Sequence, residues 1–220
     1  MTETPSPIQA LVFDFDGTIA DTEWPVYEAY RVAHEYHGLE LTLETWVSVV
    51  GTADNPPVDE RLRRELGHEP DPEALRLADE HFDRARQGVP LLPGVEDLVD
   101  RALASGIRVA LASSSPMSWI EPHMTRLGLI DRFEALSTVD QVAAGKPAPD
   151  LFNLSAQQLD IDPATCLVLE DSRNGFIAAR DAGMQCLIVP NKITKFDIHP
   201  DVEHVVDSLV DFPYQQFGIG

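Results

Sequence analysis

The sequence predicts an α/β fold, a Rossmann-like, doubly wound parallel sheet forming the core, with a small inserted four-helix cap. Three observations carry this reading. Short apolar runs rich in β-branched residues alternate with helical stripes from Leu91 onward, and this alternation implies parallel strands joined by right-handed crossovers. Between Asp21 and Val89 there are four helical patterns and no strand, a unit too small to bury much surface alone. Finally, the polar clusters fall just past the apolar runs, where open parallel sheets bind ligands. Residues 1–21 and 91–220 are therefore assigned to the core and 22–90 to the cap. A chain of 220 residues that is 44% apolar is long enough for both.

Taken in order, residues 1–9 read as a frayed lead-in. Ala10-Leu11-Val12-Phe13 has the length and side chains of a strand buried on both faces. Val26, Tyr30, Ala33 and His37 recur at helical spacing before Gly38. Thr42 is placed to cap a short helix over Leu43 to Val50, and Gly51 to Asn55 breaks it. Pro57 opens a third helix with Val58, Leu62 and Leu66 on one face, and Leu75, Ala78, Phe82 and Ala85 mark a fourth. After the return linker Leu91 to Gly94 come a helix to Ala104, a strand over Ile107 to Ala112, a helix over Pro116 to Leu127 and a strand near Phe133 to Ser137. A helix over Asp150 to Leu159, a strand over Cys166 to Leu169, a helix over Ser172 to Ala182, and strands over Gln185 to Val189 and, weakly, His204 to Val206 complete the chain.

Composition narrows the function. A formal charge of −21, from 37 acids against 16 Lys plus Arg, argues against nucleic acid or an anionic membrane as partner. No apolar run approaches the roughly 20 residues of a spanning helix. Two cysteines, Cys166 and Cys186, argue against a disulfide scaffold, though a pairing between them stays open. Together with an N-terminus unlike a signal peptide, they favour the cytoplasm. Oligomeric state is not legible, and a monomer suffices. So acidic a chain repels anions, so an anion site in it needs a metal, placed cations or backbone N–H groups.

Asp14 and Asp16 follow the first strand. Two residues apart at the strand's carboxyl end, they point to the same face, and two like charges there call for a cation or a proton. The pair reads as half of a Mg²⁺ site or, on the plainer view, as turn formers before Gly17. Ser113-Ser114-Ser115 ends a strand before Pro116, placing hydroxyls and helix N-terminal amides for an anion, or simply capping the helix. Asp171 reads as a Mg²⁺ ligand, with Glu170 reaching the ion directly or through water, and a capping role at the next helix is compatible with that. Lys146, between Gly145 and Pro147, suits a point charge near a phosphate, although an isolated surface lysine is the ordinary alternative.

The set Asp14-x-Asp16-Gly-Thr18, Ser113-Ser114, Lys146-Pro and Glu170-Asp171-Ser-x-x-Gly175, in that order, resembles the haloacid dehalogenase superfamily of phosphotransferases. The helical insert resembles the cap of the subgroup containing β-phosphoglucomutase and phosphoglycolate phosphatase. The likeness spans nearly the whole chain. It implies that Asp14 is a nucleophile forming an aspartyl-phosphate and that Asp16 is the acid and base, with its backbone carbonyl also touching Mg²⁺. It further implies that Ser113, the Ser114 amide and Lys146 hold the phosphate oxygens, and that Asp14, Asp16, Asp171 and Glu170 surround the metal. The expected ligand is a small phosphate ester.

Within that subgroup a mutase must hold a second phosphate and usually places a His shortly after the Asp-Thr pair. Here Glu23 to Tyr27 contains no His, Gly51 to Asn55 carries Asp54 and no base, and the cap has no lysine, although Arg61 or Arg84 could compensate. Hydrolysis of a phosphorylated metabolite such as a sugar phosphate is therefore expected over isomerisation. A phospho-acceptor switch would need about half this length and no insert, and a non-catalytic phosphate binder would not need every motif position filled. Trp24 and Trp46 read as substrate contacts or cap core. His34 and His37 have no third partner to make a zinc site.

Overall fold

The computed structural model describes residues 7–52 and 56–220. Residues 1–6 of the expected lead-in, Ala53, Asp54 and Asn55 of the expected helix break, and the Ala85 side chain lie outside the described residues. A six-stranded, wholly parallel sheet forms the centre, built from β1 (Ala10–Phe13), β2 (Arg108–Ser113), β3 (Ala135–Thr138), β4 (Cys166–Glu170), β5 (Gln185–Ile188) and β6 (His204–Val205). Its order is β3-β2-β1-β4-β5-β6. The chain leaves β1 for one side and later returns to the other, so the reversal of strand order falls between β1 and β4.

Side-chain alternation divides the interior in two. Leu11, Phe13, Val109, Leu111, Leu167 and Leu169 join the core shared with α5 (Val95–Ala104), α6 (Met117–Arg126) and the C-terminal Phe212 and Phe217. Ala10, Val12, Ala110, Ala112, Cys166, Val168 and Cys186 face α7 (Asp150–Leu159) and α8 (Arg173–Asp181). Helices on both faces explain why the central strands are apolar throughout rather than alternating. Both cysteines are buried free thiols. No helix is long and apolar enough to cross a membrane among the described residues.

Between β1 and α5 lie α1 (Glu23–Tyr36), α2 (Leu43–Val47), α3 (Val58–Leu66) and α4 (Pro72–Gly88). The second is shorter than expected; past Val47 the chain turns until Gly51 at φ +75°. These helices enclose a third apolar cluster of Tyr27, Tyr30, Trp46, Leu62 and Ala78, joined by Ile193 from the core. The Tyr30 and Trp46 rings meet at a 50° tilt with centroids 4.8 Å apart, so the helices share an aromatic centre rather than a sheet. The two linkers run side by side, with Ala20 bridged to Leu91 and the Leu92 N–H donating to Ile19 O at 2.8 Å.

Candidate active site

The sequence-predicted residues converge at the strand reversal. β1 stops at Phe13, and the Asp14 N–H donates to Leu169 O at 2.9 Å, holding Asp14 beside the end of β4. From the loop beyond β3, Lys146 reaches back under both strand ends. Its ammonium donates to Asp14 Oδ1 at 2.5 Å, Glu170 Oε1 at 2.6 Å and Ala112 O at 2.9 Å, which uses all three of its protons. Only 1% of Lys146 is exposed, so it is an interior ion-pair centre and not a surface lysine. Burial opposes its charge, but Asp14 and Glu170 outweigh that and hold its pKa above the ordinary lysine range.

Asp14, Glu170 and Asp171 are all buried and offer carboxylate oxygens within 4.8 Å of one another. Two glycines make this crowding possible. A Cβ on Gly175 would sit 1.8 Å from the Glu170 carboxyl carbon, and one on Gly17, already at φ +92°, would lie 2.4 Å from Asp171 Oδ2. Glu170 is fully engaged: its Oε2 accepts from the Asp171 and Ser172 N–H groups, both at 3.0 Å, and from Ser172 Oγ at 2.9 Å. Asp171 Oδ2 accepts from Asn191 Nδ2 at 2.6 Å. Among the described residues, Asp14 Oδ2 and Asp171 Oδ1 accept no hydrogen bond.

Burial, reinforced by neighbouring carboxylates, raises the pKa of Asp14 and of Asp171 well above the carboxylate range despite Lys146. Three acids around one ammonium leave an excess of negative charge in a dry setting. Hard oxygen donors, two of them uncommitted, fit a divalent cation there.

Asp16 behaves differently from the strand-face expectation. Because β1 has ended and the chain is already turning at Gly17, its carboxylate lies outside the three-acid cluster. It accepts instead from Thr22 Oγ1 (2.6 Å) and Trp119 Nε1 (2.9 Å) on Oδ1, and from Ser115 Oγ (2.6 Å) and Ser113 Oγ (3.4 Å) on Oδ2. Thr22 thus gives its hydroxyl to Asp16 and not to capping α1. Ser113 ends β2 and accepts the Ser115 N–H at 3.0 Å. The Ser114 hydroxyl donates to Gly51 O at 3.0 Å and accepts the Lys146 N–H at 3.2 Å, tying the helical unit to the core.

Above these groups opens a cavity of about 480 Å³ lined by Asp14, Asp16, Ser113, Ser114 and Trp119 from the core and by Glu23, Tyr30, Trp46 and Phe82 from the helices. The helical unit is tied to the core beside it. Asn174 Nδ2 donates to Val50 O at 2.9 Å, and the Lys192 ammonium lies 3.6 Å from the Trp24 ring centroid. Trp46 is both cap core and cavity wall, whereas Trp24 meets Lys192. His34 is buried against Tyr30 O at 2.7 Å, and His37 accepts the Asp71 N–H at 3.2 Å.

Sequence reasoning missed Thr22, Trp119, Asn191 and Glu23, and it placed Ser115 toward an anion or a helix cap where the structure turns its hydroxyl to Asp16. Asn191 lies just past β5, so the strand-end rule could have found it; nothing local marks Trp119 as a partner of Asp16. Glu23 faces Asp14 and Asp16, and burial together with those charges pushes its carboxyl well up.

A family model described as haloacid dehalogenase-like hydrolase matches residues 8–183. The chain belongs to that family. It is 41% identical over 208 residues to YhcW of Bacillus subtilis (strain 168), covering 93% of each chain. It is 32% identical over 192 residues to hexitol phosphatase B of Escherichia coli (strain K12), covering 85% of this chain and 86% of that one. Among solved structures, CbbY from Rhodobacter sphaeroides in complex with xylulose-(1,5)bisphosphate superposes with a TM-score of 0.74 at 29% identity, over 94% of this chain and 96% of that one. A β-phosphoglucomutase from Clostridium difficile gives 0.70 at 28% identity, over 95% and 96%. The haloacid dehalogenase-like fold expected from the motifs is therefore the fold observed.

Proposed function

We propose that this haloacid dehalogenase-type phosphomonoester hydrolase is a Mg²⁺-dependent cytoplasmic phosphatase acting on a small phosphorylated metabolite, such as a sugar phosphate, through an aspartyl-phosphate. The observation that carries the reading is the position of Asp14. It stands at the strand reversal with one oxygen fixed 2.5 Å from Lys146 and the other uncommitted, facing the cavity. Phosphoryl transfer asks mainly for alignment and charge neutralisation, and a carboxylate can approach a phosphate only where cations screen both.

In this reading Asp14 attacks phosphorus and the bond to the leaving oxygen breaks. Asp16 gives that oxygen a proton, then takes one from the water that hydrolyses the acyl-phosphate and frees Asp14. Ser113 and the Ser114 amide hold the transferring oxygens, while Lys146, its three protons committed to Asp14, Glu170 and Ala112, offsets charge from beneath Asp14. Asp14, Asp171 and the Asp16 carbonyl, with Glu170 behind them, would hold Mg²⁺, which when bound offsets the acids and the phosphoryl charge. Residues 22–90 act as a cap that opens for exchange along the paired linkers.

The test is release of inorganic phosphate from a panel of phosphorylated metabolites and p-nitrophenyl phosphate. Catalytic cycling that EDTA stops and Mg²⁺ restores is the expected result. Release that never exceeds one phosphate per chain, or that ignores EDTA, would contradict it.

A further inference from the structure

The chain after β5 belongs to the core by connectivity, yet its side chains divide between the three-acid cluster and the helical unit. Asn191 Nδ2 donates to Asp171 Oδ2 at 2.6 Å. The turn itself dictates which way that amide faces. Asn191 Oδ1 accepts the Ile193 N–H at 2.7 Å and the Thr194 N–H at 3.1 Å, so the oxygen is spent on the loop and only the NH₂ end is left for Asp171. Two further bonds close the turn: the Asn191 N–H donates to the buried Thr194 Oγ1 at 3.0 Å, and the Lys195 N–H donates to Asn191 O at 3.1 Å. A Cβ on Gly17 would stand 2.8 Å from Asn191 Nδ2 as well as 2.4 Å from Asp171 Oδ2, so the pair is wedged against the turn that follows Asp16.

The next residues leave for the cap. Ile193 is 1% exposed and lies in the apolar cluster of Tyr27, Tyr30 and Trp46. Lys192 holds its ammonium over Trp24 on α1, and the short 3₁₀ turn Thr194–Phe196 packs on α2. The Ile193 N–H that aims the Asn191 amide thus belongs to a residue whose side chain the cap grips. One short segment joins Asp171 to the helical unit.

Resting on the Mg²⁺ reading above, we propose that Asn191 is a positioning residue for Asp171 and that the cap braces it through Ile193. Asn191 takes Oδ2 and fixes the plane of the carboxylate, which leaves Oδ1 to offer a metal ion. A carboxylate held in this way has little freedom left to lose on binding, whereas a loose one must be ordered by the ion.

The experiment titrates Mg²⁺ into the metal-free full chain by calorimetry and compares dissociation constants. Asn191→Ser keeps an acceptor for the Ile193 and Thr194 N–H groups but is too short to reach Asp171, so it removes the positioning bond and preserves the turn; Asn191→Ala removes both. Each is expected to bind Mg²⁺ about tenfold more weakly, the lower end for losing an outer partner of a metal ligand. Ile193→Ala should weaken binding about fivefold by loosening the brace. Leu75→Ala, which trims the same cap cluster from α4, should leave the constant at the parent value. A parent-like constant in Asn191→Ser overturns the positioning role even where Asn191→Ala fails to fold. A parent-like constant in Ile193→Ala, or an equal loss in Leu75→Ala, overturns the cap's part in it. A parent chain that binds no Mg²⁺ overturns the metal reading beneath both.

Discussion

The floor and the roof of one cavity follow opposite designs. On the floor three groups are bound by several others: Lys146 by three acceptors, Glu170 by four donors, Asp16 by four more. On the roof the wall is aromatic, Trp46 leaves its N–H unpaired, and Glu23 stands without a partner among the described residues. The contrast teaches where each task resides. A cross-braced floor is preorganised for charge that moves little, whereas the roof over it is an aromatic wall with few fixed polar contacts.

Removing the centre of the floor should have the largest effect. Lys146→Met leaves Asp14 and Glu170 buried without their cation, and turnover is expected to fall by about 10²–10³. Stability should fall with it by about 3 kcal/mol, the low end for breaking a buried pair. Phosphate release and chemical denaturation measure the two together. A variant as active and as stable as the parent would show that the floor is not braced through this residue.

Trp119→Phe makes a smaller break, taking away one of the four donors that orient Asp16. An alkyl phosphate, whose leaving oxygen needs a proton, should lose about tenfold in kcat, the cost of a hydrogen bond to a charged group. p-Nitrophenyl phosphate, with a good leaving group, should lose much less. Equal losses on both would place Trp119 in the packing alone.

The smallest effect belongs to the roof. Burial pushes the Tyr30 phenol up to about 12, and its hydroxyl donates to Pro56 O at 2.8 Å. The folded chain therefore keeps a proton that the unfolded chain gives up near the ordinary 10.0, and the associated stability is intact below that pH and lost as pH rises towards 12. Tyr30→Phe should flatten this part of the stability profile, read by the fluorescence of neighbouring Trp46. An unaltered profile would exclude Tyr30 as its source.

Much of the floor was legible in the sequence because its signals are local. The run Ala10 to Phe13 marks β1, Glu170-Asp171-Ser-x-x-Gly175 contains the glycine that the Glu170 carboxylate requires, and the strand-free stretch after Asp21 marks the helical insert. What was not legible depends on where chains turn and what they then meet. Whether Asp14 and Asp16 share a face depended on β1 continuing past Phe13, and it does not. The bonds from Trp119 to Asp16 and from Asn191 to Asp171 span 103 and 20 residues, and no periodicity reports them. Lys146 was expected near the phosphate, but its full burial required knowing that two strand ends close over it.

Acid-quenching the wild-type enzyme during turnover of a phosphate ester, then mapping the phosphorylated peptide by mass spectrometry, tests most directly whether the floor performs the chemistry. The account predicts a phosphoryl group on the peptide containing Asp14, absent from the same peptide in Asp14→Asn. A phosphoryl group on another residue, or steady turnover by Asp14→Asn, would contradict it.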